Sequence, residues 1–201
     1  MKKALIIVDV QNDFCQGGAL QVPEANSIIP YINELQNKGI YDEIVLTQDF
    51  HPANHKSFAS NNNRKIGEVI NLHGLPQIMW PDHCIQGSLG VKFHIALKTD
   101  KVTRIIQKGK NPEVDSYSGF FDNNHLISTG LSEYLKSKDI TAVDIVGLAL
   151  DYCVKFTALD AIKEGFDTAL LYTGTKAVNL KPSDYKDAVL EMVEAGVTIK
   201  K

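Results

Sequence analysis

The sequence predicts an α/β protein with a doubly wound, mainly parallel sheet and helices on both faces. Three observations predict it. Val, Ile and Leu gather in short runs without alternation, at Leu5–Val8, Ile44–Leu46, Val102–Ile106, Val143–Leu148 and Ala169–Leu171, as in strands buried on both faces. Amphipathic stripes of helical spacing lie between several of these runs. The chain has 201 residues, 44% hydrophobic and 22% charged, which suits one domain, 1–201, with a sizeable core.

The elements follow in order. The first strand closes on Asp9. Ser27 is placed to cap a helix carrying Ile28, Ile32 and Leu35, with Gly39 just past its end. The second strand, Ile44–Leu46, runs into Thr47-Gln48-Asp49-Phe50-His51. From about Asp49 to Lys101 the periodicity fades. This stretch holds Pro52, Pro76, Pro81, the Asn61–Asn63 run and five of the six histidines, His51, His55, His73, His83 and His94. A long irregular insertion rich in histidine, with Trp80 among apolar neighbours, points to function rather than disorder. Val102–Ile106 is the next strand, followed by Gln107 and Lys108. Val143–Leu148 is another, followed by a helix from Val154 to Glu164 with Val154, Ala158, Ala161 and Ile162 on one face. After Ala169–Leu171, Ser183 is placed to cap a helix bearing Tyr185, Val189, Met192 and Val193, and Val197–Lys201 reads as a last short strand.

Composition excludes several functions. Lys plus Arg (21) against Asp plus Glu (24) leaves a net charge of −3, no electrostatic basis for binding nucleic acid. The longest apolar runs are too short for a membrane span. Three scattered cysteines, Cys15, Cys84 and Cys153, with no C-x-x-C pair, argue against a disulfide framework or a zinc knuckle. The apolar run after Lys2-Lys3 is interrupted by Asp9, too early for a secretory signal, so a cytoplasmic protein is expected. The oligomeric state stays open, a homo-oligomer included.

In open parallel sheets, ligands sit beyond the carboxyl ends of the strands. Four strand ends here deliver Asp9, the Asp49/His51 pair, Lys108 and Cys153. Cys153 lies where a strand turns into a helix, where unpaired N–H groups and the helix dipole favour a thiolate and suit an oxyanion. A lone free cysteine is more often a packed small hydrophobe, the reading kept for Cys15 and Cys84. The neighbouring acid and lysine reverse that preference for Cys153. A carboxylate at the end of a buried strand must be paired or functional. Lys108, from what reads as the adjacent strand end, is the natural partner of Asp9, and Asp9 is placed to take a thiol proton and return it to a leaving amine. Asp49 and His51, two residues apart in extended chain, face one side. With another histidine they suit Zn²⁺, Fe²⁺ or Mn²⁺. Spacing leaves the third ligand open among His55, His73 and His83.

These residues fall in segments that resemble the nicotinamidases, within the isochorismatase-like cysteine hydrolases. The segments are DVQNDFCQGGAL (Asp9–Leu20), TQDFHPANHKSF (Thr47–Phe58), WPDHCIQGSLG (Trp80–Gly90), QKGKNPEVDSYSGF (Gln107–Phe120) and VGLALDYCVKFTALDA (Val146–Ala161). The resemblance implies a Rossmann-like three-layer fold and hydrolysis of nicotinamide to nicotinate and ammonia in NAD salvage, through a cysteine thioester, with pyrazinamide as a further substrate. It implies Asp9, Lys108 and Cys153 as catalytic triad and Asp49, His51 and His83 as metal ligands, with His55 a weaker candidate. It also implies Phe14, Trp80 and Tyr117 as pocket aromatics, a cis peptide just before Ala149, and the backbone N–H groups of Ala149 and Cys153 as oxyanion hole. Leu150 departs from the pattern, where Thr is usual, and puts pocket depth and substrate range in question. Two other readings compete: a cysteine amidase for carbamoyl or ureido substrates, and a non-catalytic metal or redox-sensing module.

Overall fold

Side chains from Ala4 to Val8 are all fully buried, yet they do not share one core. Strand geometry sends alternate residues to opposite faces. Leu5 and Ile7 join one apolar cluster, with Ile28, Ile32 and Leu35. Ala4, Ile6 and Val8 join another, with Leu131, Ala158 and Met192. Both faces are apolar, which is why the sequence shows runs rather than alternation.

The computed structural model of the chain describes residues 2–201. In chain order the strands are β1 (Lys2–Val8), β2 (Glu43–Asp49), β3 (Val69–Leu72), β4 (Leu75–Ile78), β5 (Arg104–Lys108), β6 (Ile140–Leu148), β7 (Asp167–Lys176) and β8 (Thr198–Lys200). The α-helices are α1 (Ile29–Asn37), α2 (Ala59–Asn62), α3 (Leu131–Ser137), α4 (Lys155–Lys163) and α5 (Asp184–Glu194). Six strands form one sheet in the order β5-β2-β1-β6-β7-β8, every neighbouring pair parallel. The chain winds outward from β1 to one edge and then from β6 to the other. The switch point therefore lies between the carboxyl ends of β1 and β6, where such sheets open a crevice.

Several expectations shift. Ser27 does not cap α1: it sits inside a 3-10 turn, Ala25–Ile28, that precedes the helix. Ser183 occupies the cap position of α5 without a side-chain cap bond. The helix expected from Val154 is preceded by a π-helical turn, Leu150–Val154, so Cys153 lies within a helical turn rather than ahead of one. The strand expected at Val102–Ile106 begins and ends two residues later, and β2 extends to Asp49, so Lys108 and Asp49 are last strand residues placed opposite each other in register. The irregular stretch contains a small antiparallel hairpin, β3–β4, and α3 lacked a strong apolar stripe in the sequence. Among the described residues no helix is long and apolar enough to cross a membrane.

Candidate active site

Asp9 follows β1 directly and is fully buried, with its backbone in the left-handed region at φ 48°. Thr47 Oγ1 on β2 donates to Asp9 Oδ1 at 2.6 Å. Lys108 is also fully buried. Its Nζ lies 2.9 Å from Asp9 Oδ2, donates to Asp49 Oδ1 and to Ser116 O (2.9 Å), and stands 3.4 Å from Cys153 Sγ. The expectation that Lys108 comes from the strand next to Asp9 is corrected, because β2 lies between β1 and β5. Lys108 reaches across β2 and holds two carboxylates at once.

The electrostatics follow from burial and this shared cation. Burial pushes the Asp9 carboxyl above its usual range, against the pull of Lys108. Burial also acts on Asp49, but Lys108 and His51 outweigh it and hold that carboxyl well below the usual range. Burial would lower Lys108, yet Asp49 and Asp9 hold it well above the usual lysine value. The Cys153 thiol is pushed well up by burial, with Lys108 opposing. Burial thus favours the neutral thiol of Cys153, while Lys108 is held as an ammonium against the Asp49 carboxylate. Single oxygens of Asp9 and Asp49 and the Cys153 sulfur all lie within 4.8 Å of one another.

Asp49, His51 and His83 form a second buried group, their donor atoms within 4.8 Å of one another. The two rings are oriented from behind. His51 Nδ1 donates to Gly109 O at 2.9 Å and His83 Nδ1 to Pro81 O at 2.7 Å. Each ring thereby leaves Nε2 free, at 3.6 Å and 3.8 Å from Asp49 Oδ2. Imidazoles fixed by backbone carbonyls, facing one carboxylate, are the donor set of a divalent metal. These residues fit such an ion. Gly109 is required here: its φ is +65°, and a Cβ would fall 2.3 Å from His51 Cε1.

The other histidines separate. His73 is on the surface against Glu113, 3.0 Å away, and takes no part. His55 is buried beside His51 and groups with His51 and Asp115, outside the three-donor cluster. Its Nδ1 accepts the Ser57 backbone N–H at 3.1 Å. Burial lowers its pKa to about 4, and its buried Nε2 has no hydrogen-bond partner, so it stays a weaker candidate ligand beside His51 and Asp115.

A narrow cavity joins the two groups. Phe14, Trp80 and Tyr117 line it, as do Asp49, His83, Ala149 and Cys153. The peptide between Leu148 and Ala149 is cis. Trp80 Nε1 donates to Tyr117 Oη at 3.0 Å, fixing both rings. Sequence reasoning missed four further walls, Leu20, Asp115, Tyr152 and Val178. Adjacency to Cys153 signals Tyr152; nothing local signals the others. It also missed Gln11, whose side chain brackets the Asp49 backbone, donating to Asp49 O and accepting from Asp49 N, both at 2.8 Å. Leu150 is not among the walls. It packs into the core behind the nucleophile and borders a groove on another side, so the doubt about pocket depth is answered by its position. Cys15 and Cys84 are buried and free.

Comparison with known proteins agrees with this arrangement. The Isochorismatase domain family matches residues 3–200. A nicotinamidase of Escherichia coli (strain K12) is 44% identical over 201 residues, covering 98% of this chain and 93% of the relative. The structure of an Acinetobacter baumanii nicotinamidase and pyrazinamidase superposes with a TM-score of 0.96 at 43% identity, covering 100% of this chain and 96% of that one. A pyrazinamidase of Pyrococcus horikoshii, solved in complex with zinc, superposes with a TM-score of 0.80 at 38% identity, covering 100% and 99%.

Proposed function

The chain belongs to the isochorismatase family, and within it we propose an amidohydrolase that converts nicotinamide to nicotinate and ammonia, with Asp9, Lys108 and Cys153 as its catalytic residues. The observation that carries this reading is the buried Lys108 ammonium, which touches Asp9, Asp49 and Cys153 together.

The residues divide the work. The aromatic ring of the substrate lies among Phe14, Trp80 and Tyr117, with its carboxamide over Cys153. A divalent cation held by Asp49, His51 and His83, zinc in this reading, would supply a Lewis-acid contact for the ring nitrogen. Asp9 takes the thiol proton. Its raised pKa and the nearby Lys108, which favours the thiolate, narrow the gap for that transfer. The sulfur forms a bond to the amide carbon, and the C–O π electrons move onto oxygen. The backbone N–H groups of Ala149 and Cys153 receive this oxyanion, a contribution of about 10²–10³-fold in such sites. The oxyanion collapses, the C–N bond breaks, and Asp9 returns its proton to the leaving nitrogen, giving ammonia and a thioester. Asp9 then deprotonates a water that attacks the thioester, and the released thiolate is reprotonated. His55, whose buried Nε2 has no hydrogen-bond partner, stands beside His51 as a weaker candidate ligand. Pyrazinamide, with a second ring nitrogen, fits the same walls. The metal-ligand set and Trp80 argue against a carbamoyl or ureido substrate.

Ammonia release from nicotinamide tests the reading, with wild type, Cys153→Ala and chelated wild type compared. Turnover by wild type alone, with the variant folded, supports it. A folded, metal-loaded wild type that releases no ammonia overturns it. A structural zinc module would instead unfold on chelation.

A further inference from the structure

Val178 is a wall of the ring cavity, but it stands on no regular element. It lies in the segment between β7 and α5, in chain that is neither helix nor strand. Two backbone groups there, Val178 N–H and Asn179 N–H, donate to Asp151, at 2.9 Å to Oδ1 and 2.8 Å to Oδ2. Asp151 is buried and sits two residues before Cys153, in the same π-helical turn. One carboxylate, with both oxygens engaged, therefore ties a cavity wall to the turn that carries the nucleophile.

Two further observations give this tie a purpose. Val178 borders the ring cavity together with Leu20, Phe14 and Tyr152. A planar ring bearing a carboxamide meets these walls, so their position sets its fit. Behind the segment, a groove of about 470 Å³ is lined by Ala177 and Asn179, the residues on either side of Val178, with Leu150 and Tyr172 beneath. The segment has apolar surface on one side and open room on the other.

We propose that Asp151 is a positioning residue that latches the Ala177–Asn179 segment, so that Val178 closes over the aromatic ring of the substrate and sets which ring substituents are admitted. Release of the two hydrogen bonds lets the segment move toward the groove and opens the cavity. The substrate class rests on the amidase reading, but the latch itself is testable without substrate.

The test follows alkylation of Cys153 by iodoacetamide, read by peptide mass spectrometry, alongside steady-state kinetics and thermal melting. Asp151→Asn keeps the shape but exchanges one acceptor oxygen for a donor. Losing one hydrogen bond to a charged group speeds Cys153 alkylation by about tenfold and raises KM for nicotinamide similarly, with kcat changed less than about threefold. Val178→Ala, which trims the wall and keeps the latch, also speeds alkylation. It raises kcat/KM for ring-methylated nicotinamides relative to nicotinamide and serves alone if Asp151→Asn does not fold. Lower melting with alkylation rate and KM unchanged makes Asp151 merely structural and overturns the proposal. So does a fall in kcat at constant KM, or a Val178→Ala enzyme with wild-type alkylation and substrate ratios. Faster alkylation without nicotinamide turnover keeps the latch and removes the substrate reading.

Discussion

The two sides of the cavity are built differently. Asp9, Asp49 and Lys108 stand at or just past the ends of β1, β2 and β5, where strand register and burial on both faces leave little freedom, and Cys153 follows β6 in the π-helical turn. Trp80, His83, Leu20 and Val178 come from irregular chain, each held by a few specific hydrogen bonds. The comparison teaches a division of labour. The acid and lysine of the proposed catalytic group are fixed by the sheet, where small displacements are costly. Groups that surround the substrate sit where the chain can yield.

The largest effect is expected on the sheet side. Lys108→Met strips the shared cation from two buried carboxylates. Leaving buried charge unpaired costs about 3–5 kcal/mol, so calorimetry should show a large loss of melting temperature together with loss of turnover. Near-wild-type melting would break the claim that register makes this side rigid. Gly109→Ala comes next. Its new methyl collides with His51 and strains a left-handed backbone, and disturbing such a supporting group lowers metal affinity by about 10–100-fold. Competition with a chromogenic chelator measures it, and unchanged affinity would show that His51 can shift freely.

A smaller effect concerns pH. In the proposed mechanism Asp9 accepts the thiol proton only when ionised, and burial raises its pKa above the ordinary 3.8. Activity should therefore be lost, as pH falls, at values above the usual carboxylate range. The acid limb of kcat/KM reports this, and a limb in the ordinary range would mean that Asp9 is better solvated than its burial implies. The smallest effect on chemistry is expected from Leu150→Thr. Placing a hydroxyl in the core costs about 1–3 kcal/mol. Leu150 does not line the ring cavity, so the ratio of nicotinamide to pyrazinamide turnover should hold. A changed ratio would show that the core behind the nucleophile reaches the substrate.

Much of the proton-transfer side was readable in the chain. A strand buried on both faces writes itself as an apolar run, and the polar residue that ends it is conspicuous because burying it is costly. Asp9, Asp49 and Lys108 stand out in this way. Cys153 stands out because a strand gives way to a helix beside it. The resemblance, not spacing, separated His83 from His55 and His73.

The sequence by itself determined the layers, since alternate residues of β1 are apolar throughout and require cover on both faces. It also determined which residue types stand at the strand ends. Tertiary structure alone decided that Lys108 crosses β2 to hold Asp9 and Asp49 together, because strand order is not written in any one strand. It decided that Gly109 and Pro81 carbonyls turn His51 and His83 toward Asp49, while His55 Nδ1 meets Ser57 instead. It placed Val178 over the cavity through Asp151, 27 residues away in the chain. The physical reason is common to all of these. Burial of a strand or helix is periodic and leaves a local trace, whereas a single hydrogen bond between distant segments has no period and appears only when the chain is folded.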